Sequence, residues 1–353
     1  MIDFRYHVVS LISVFLALAV GIALGAGPLK ETIGDTLTGQ VDQLRSEKDE
    51  LRSQLDDSQR SLSDTRAFVD ASAPQLLDGA LADRRVAVVS LGEVGQDELT
   101  AIDERLVQAG AEVTAHATLT DAWFDPDLRS FRQALAGSLV TFLEPVPADG
   151  ATLDAQLAQA LIQGLTGADP ASPDKLTSAA SDVLDILSGG DNPLVSLTDK
   201  VERGADAIVV LAAPAAASGD DGTTPTATPA PATVDAELAV LAAAQEFSTG
   251  AVLADGPRGP QSLVDVVLGD DALASRITTV SGADEVTGQV TVPLALASSI
   301  AQAVGHYGFG PDETVLPEPV ELAPVDRTPR IPETEQTPPG QEPTSTPTAQ
   351  AGG

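Results

Sequence analysis

Three histidines, a single methionine and no cysteine are spread over this 353-residue chain, at His7, His116, His306 and Met1. Beyond the first turns, His116 and His306 are the only imidazoles available as bases, and neither lies in a His-Glu-x-x-His pair or near a Gly-x-Ser-x-Gly elbow. The sequence Gly92-Glu93-Val94-Gly95 follows a strand pattern. It lacks the third glycine of a dinucleotide fingerprint, puts a carboxylate where phosphate would lie, and is not accompanied by a Lys-Ser/Thr pair of the phosphate-loop kind. The acid pairs Asp220-Asp221 and Asp270-Asp271 lie in turn-like contexts and read as solvated caps rather than general acid and base. The most site-like stretch is "ADGPRGP", which follows a strand pattern and so occupies the loop position that binds ligands in open α/β sheets. Asp255 and Arg258 there are the candidate ligand residues, for a small anionic or polar molecule. The same loop reads first as an ordinary tight connection with one exposed arginine. The expectation is a non-enzymatic chain with no catalytic residues, no resident metal and no cofactor.

Charge narrows the partners. Fifty-two acidic residues against 19 basic ones give a formal charge of -33, which repels nucleic acid and anionic headgroups. Such an excess also simply keeps a protein soluble. With 43% hydrophobic residues the chain can bury a substantial core. The lack of cysteine leaves nothing to keep reduced and suits an envelope protein.

The chain opens "MIDFRYHVVSLISVFLALAVGIALGAG", with no charge from Val8 to Gly27. About 20 apolar helical residues span a bilayer, whereas the apolar region of a cleaved signal is roughly 7–15 residues long. Residues 8–27 are therefore expected to be a retained transmembrane helix, although Ala23-Leu24-Gly25 offers small residues to a signal peptidase. Residues 1–7 are placed in the cytoplasm and the remainder outside, on the slight Lys/Arg asymmetry of the flanks and on compartment. Ala17, Gly21 and Gly25 stand four apart, a spacing that lets two membrane helices approach closely.

Residues 33–70 carry a heptad seam: Leu37, Val41, Leu44, Lys48, Leu51, Leu55, Ser58, Leu62, Thr65 and Val69 alternate in steps of four and three, with charged and amide residues between them. Lys48, Ser58 and Thr65 interrupt the seam, and polar seam positions select register and partner at the expense of stability. Leu37, Val41, Leu44, Lys48, Leu51, Leu55 and Leu62 are the expected partner-binding residues. The mate is a second copy, giving a homodimer, or another envelope protein; the remaining alternative is that the helix folds back on its own globular domain.

From Arg85 the period changes. "RRVAVVSLG", "AEVTAHATL", "ADAIVVLAAP" and "TGAVLADGP" read as strands; "QDELTAIDERLVQAG", Thr152–Leu165, Pro173–Leu187, "VDAELAVLAAAQEF" and "VPLALASSIAQAVGHYG" read as helices. Continuous apolar strands alternating with helices predict an open, mostly parallel, Rossmann-like α/β domain over residues 84–310, outside the membrane. His306 and Tyr307 read as the end of the last helix. Residues 215–233, rich in Pro, Thr and Ala, are expected to be a flexible loop, and residues 311–353 a disordered Pro/Thr-rich tail.

The N-terminal stretch "MIDFRYHVVSLISVFLALAVGIALG", the heptad helix, the "VAVV" strand and the late "GHYGFG" together resemble the MctB family of actinobacterial envelope proteins. The resemblance implies copper homeostasis, and for that family a pore in the outer envelope layer. A second line of the same family, SteB, implies a role in septal cell-wall cleavage and cell separation, with a SteA-like membrane protein or a cell-wall hydrolase as partner. Copper(I) selects sulfur ligands, and a membrane barrel needs many alternating segments of roughly ten residues. Neither is supplied here, so the residues favour a partner-binding regulatory protein; of the roles the resemblance implies, regulation of septal hydrolysis is the expectation and copper homeostasis the alternative.

Overall fold

The computed structural model describes residues 4–26, 28–213 and 231–330. It divides into two units, residues 1–68 and 69–353.

The first unit contains α1 (Phe4–Ala26) and the greater part of α2 (Pro28–Leu77). Helix α1 is long and apolar enough to cross a membrane, and its described side chains from Phe4 to Gly25 are all exposed. In α2 the exposed faces carry Asp–Arg pairs one turn apart, Asp42–Arg45 at 3.4 Å, Asp49–Arg52 at 3.9 Å and Asp57–Arg60 at 2.6 Å. Such pairs add a few tenths of a kcal/mol each to an isolated helix. They let a narrow-seamed sequence stay helical while its apolar side chains remain in solvent.

The second unit starts at Val69 with the last turns of α2. Ala73 and Leu77 there are fully buried, Val69 packs against the same core, and Asp70 pairs with the buried guanidinium of Arg105. The heptad pattern therefore runs one position too far: its last member, Val69, belongs to the globular core.

The body then follows in order: β1 (Arg85–Ser90), α3 (Gln96–Gln108), β2 (Glu112–Leu119), α4 (Asp121–Phe124), α5 (Arg129–Leu139), α6 (Leu153–Thr166), the small hairpin β3 (Ala168–Asp169) and β4 (Ser172–Leu176), α7 (Ser178–Ser188), β5 (Val195–Leu197), β6 (Ala207–Leu211), α8 (Pro231–Phe247), β7 (Ala251–Ala254), α9 (Leu263–Leu268), α10 (Asp271–Ala274), β8 (Thr278–Val280), α11 (Val286–Ile300) and β9 (His306–Tyr307). Seven strands form one sheet in the order β5-β2-β1-β6-β7-β8-β9. All neighbours pair in parallel except edge strand β5, which is antiparallel to β2. This is the open α/β sheet expected from the sequence.

Alternate residues of a strand face opposite sides, and β1 buries both. Ala87 and Val89 join a core with α5–α8, whereas Val86 and Val88 join one with α3, α11 and the end of α2.

Three expectations are corrected. Pro173 to Leu176 is not helix but strand β4, and α7 begins at Ser178, where the Thr177 hydroxyl caps the Ala180 amide at 3.1 Å. His306 and Tyr307 do not end the last helix; α11 stops at Ile300, the chain turns through Gln302 in a left-handed conformation (φ 63°), and His306 and Tyr307 form β9, paired in parallel with β8.

The third correction concerns the tail. Residues 311–330 are not free chain but an extended strap along the body. Leu322 packs on the α3/α11 core, the Arg84 guanidinium donates to the Ala323 carbonyl at 2.7 Å, and Arg327 donates to both Asp206 oxygens at 3.2 and 2.6 Å and to the Asp83 carbonyl at 2.9 Å. Arginine anchors and one apolar contact replace the apolar content that the composition lacks. The remainder of the expected tail, 331–353, and most of the expected loop, 215–230, lie outside the described residues; 231–233 start α8. Replacing Arg327 by alanine removes a charge-assisted fork from a half-buried carboxylate, so Arg327→Ala is expected to lower unfolding stability by about 1–3 kcal/mol in denaturant titration. It should also speed proteolysis after residue 316 while leaving far-ultraviolet dichroism intact.

Candidate functional site

Open parallel sheets bind ligands at the carboxyl ends of strands, where strand order reverses. Here the chain runs from β1 outward to β2 and returns to β6 on the other side of β1, so the reversal lies between the ends of β1 and β6. That crevice is narrow. A side-chain carbon added at Gly92, just past β1, would meet the Ala213 methyl at 3.0 Å.

The groups around these strand ends are acidic. Burial, with Asp284 and Asp255 nearby, pushes the Glu98 carboxyl of α3 up. Burial and Asp255 push Glu237 of α8 up to about 7. Burial also raises Asp255, against hydrogen bonds led by that from Ser262. Such a rim repels phosphate, in keeping with the missing fingerprint. Glu98, Glu237 and Asp284 were not singled out from sequence, because nothing local in helical or turn contexts marks three separated acids as neighbours.

The structure brings the two candidate ligand residues into one loop and gives each an internal partner. Asp255, 7% exposed, accepts from the Ser262 hydroxyl at 2.8 Å, the Val264 amide at 3.2 Å and the Gly256 amide at 2.8 Å. It thereby fixes the start of α9. Arg258 donates to Asp265 at 2.6 Å and to the Pro311 carbonyl at 2.8 Å, and lies 3.8 Å from Glu313. Glu313 in turn accepts from the Ser281 hydroxyl at 2.9 Å and the Gly310 amide at 2.7 Å. Arg258 thus clasps the "GFGPDE" turn to the sheet.

The imidazoles are apart. His116 lies on β2, its Nε2 at 2.9 Å from both Asp103 oxygens, and that hydrogen bond raises its pKa despite burial. His306 lies on β9 with Nδ1 at 3.0 Å from the Thr279 hydroxyl, and burial lowers its pKa. Five strand spacings separate β2 from β9, on the order of 24 Å at 4.8 Å each. Among the described residues no three His, Cys, Asp or Glu side chains are grouped to hold a metal ion.

The other candidates lie on the helices of the first unit. Leu37, Val41, Leu44, Leu51, Leu55 and Leu62 are 44–64% exposed. Leu44, Glu47, Lys48, Leu51, Arg52 and Leu55 outline a shallow apolar hollow on α2 of about 370 Å³. On α1, Ala17, Gly21 and Gly25 are exposed, and a methyl added at either glycine would meet nothing within 4 Å.

Fold and site define a class: a mixed α/β protein with a mostly parallel sheet, an N-terminal apolar helix long enough to cross a membrane, and a heptad helix with its seam exposed. Within that class the chain belongs to the MctB family, described as "Copper transport outer membrane protein, MctB", which matches residues 1–317. It is similar to a copper transporter MctB of Mycobacterium tuberculosis, 28% identical over 322 residues that cover 88% of this chain and 97% of the relative. It is also similar to one of Mycobacterium leprae, 30% identical over 337 residues covering 90% and 100%. These matches overturn the expectation of a regulator of septal cell-wall hydrolysis. The family and its curated relatives are named for copper transport over nearly the whole chain, and that expectation rested on one line of the resemblance alone.

The titrations have a consequence for stability. The folded chain holds the Glu237 proton up to about pH 7, whereas an unfolded chain releases it near 4.5, so this carboxyl contributes stability that is lost as pH rises through that window. His116, raised by Asp103, acts in the same direction: its contribution is complete below its ordinary pKa and lost as pH rises through the higher folded one. The melting temperature is therefore expected to fall between pH 5.5 and 8, and Glu237→Gln and His116→Gln should each flatten that slope in calorimetry.

Proposed function

We propose that this chain serves copper homeostasis at the cell envelope as a non-enzymatic, membrane-anchored protein that works by holding partners rather than by coordinating the metal. The match to the MctB family over residues 1–317 carries the copper side of the reading. Helix α1 supports the anchor; residues 1–7 are assigned to the cytoplasmic side and the α/β body to the outside on the slight Lys/Arg asymmetry of the flanks. The longest described strand, β2, has eight residues, and the sheet is open with edges at β5 and β9, so a helix suits this body better than a barrel as the membrane element.

The ligand inventory argues for an indirect role. A copper(I) site wants several sulfur or imidazole donors converging on one point. This chain has no cysteine and a single methionine at position 1. Of its histidines, His116 is bound to Asp103 and His306 to Thr279. Copper is thus the cargo of the system in which the chain takes part, and the chain's contribution is assembly at the membrane.

Two measurements test this. Cells lacking the gene should lose growth at copper concentrations that the parent tolerates, with septa and cell separation normal at no added copper; unchanged copper tolerance would remove the reading. The purified full-length protein, titrated with copper(I) against a chromogenic bidentate chelator, should fail to draw one equivalent from it. Stoichiometric capture would show a direct carrier instead.

A further inference from the structure

The exposed seam of α2 has an occupant that its own charge pattern specifies. Taking the seam in heptad register, Val41, Lys48, Leu55 and Leu62 fall at a positions, and Leu37, Leu44, Leu51, Ser58 and Thr65 at d. The flanking e positions carry Arg45, Arg52, Gln59 and Arg66, whereas the g positions carry Gln40, Glu47, Gln54 and Ser61. We propose that this helix pairs with a second copy of itself as a parallel, in-register, two-stranded coiled coil.

Orientation follows from which flanks meet. In a parallel pair each g residue faces the e residue five positions on in the mate, so Glu47 meets Arg52, Gln40 meets Arg45 and Ser61 meets Arg66, with no like charges opposed. An antiparallel pair sets e against e and brings arginine rows together, at a cost wherever two arginines meet, Gln59 being the neutral member of the row.

Stoichiometry follows from Lys48. At a lone a position in a two-stranded coil a lysine can run its stem along the seam and carry its ammonium out toward Glu47 of the mate. In a three- or four-stranded core three or four ammonium groups would be buried together. Lys48 also fixes register, because a slip of one heptad would set it against Val41 or Leu55. Leu44, Glu47, Lys48, Leu51, Arg52 and Leu55, which outline the shallow hollow, are the side chains that would surround a knob from the mate. A common membrane would hold both N-termini on the same side, which a parallel pair requires. The inference does not rest on the copper reading and stands or falls separately.

The absence of native cysteine makes a direct test available in the full-length protein in its membrane. Chains carrying Leu37→Cys or Leu62→Cys alone, near opposite ends of the seam, are oxidised with diamide and resolved without reductant. A parallel in-register pair brings like positions within the roughly 4–7 Å that a disulfide spans, so each variant should link to itself and double in mass. Arg52→Glu should weaken the linking, and Glu47→Arg combined with Arg52→Glu should restore it. Trp123, the single tryptophan and fully buried, reports by its fluorescence that the body is folded. Linking only in a mixture of the two variants would show an antiparallel pair. Linking to a chain of another mass would show a different partner, and no linking with Trp123 still buried would show none; each of these overturns the proposal.

Discussion

Strand β1 is buried along its entire length on both faces, and the rest of the body is arranged around that constraint. A strand with apolar side chains above and below must have helices on both sides and paired strands on both edges. Its neighbours are β2 and β6, its upper and lower covers are the α6/α8 and α3/α11 layers, and the final turns of α2 fill the remaining space beside Val86 and Val88. Because β1 is both first in the chain and central in the sheet, strand order must reverse beside it. A crevice of the kind that binds ligands then follows from topology alone.

That crevice lacks the third glycine and the phosphate-loop lysine by which α/β sheets of this kind hold nucleotides. Small residues close it, acids rim it, and the polar groups nearest to it are spent inside the chain. Asp255 holds α9 and Arg258 holds the turn after β9. The first unit differs: its apolar side chains stay in solvent and it contains the membrane-length helix. Among the described residues no three metal-ligating side chains are grouped, which is why the proposed contribution to copper handling is made through assembly.

Periodicity made much of this legible. The apolar run of α1, the heptads of α2, and strands β1, β2, β6 and β7 are long enough for a repeat of one kind to dominate. Other elements are too short to carry a period: β5, β8 and β9 have three, three and two residues, and exist because the sheet edge is there to receive them. Composition misled in the tail, where the contacts that order residues 311–330 come from Arg84 and Arg327 rather than from apolar content. It could not reveal the acidic rim, because Glu98, Glu237, Asp255 and Asp284 are gathered by the fold from four separate elements. The end of the heptads was ambiguous for a different reason. Val69 fits the seam and the globular core equally well as a side chain, and only the position of α3 decides between them.

The account turns on copper tolerance passing through the seam of α2 and not through metal ligands. It is tested most directly by complementing a deletion strain with two chains at equal expression, one with Leu44, Leu51 and Leu55 replaced by aspartate, the other with all three histidines replaced by glutamine. Growth at the highest copper concentration the parent tolerates should be restored by the histidine-free chain and lost with the seam-broken one. Restoration by the seam-broken chain, with failure of the histidine-free one, would contradict the account and return the metal to the protein itself.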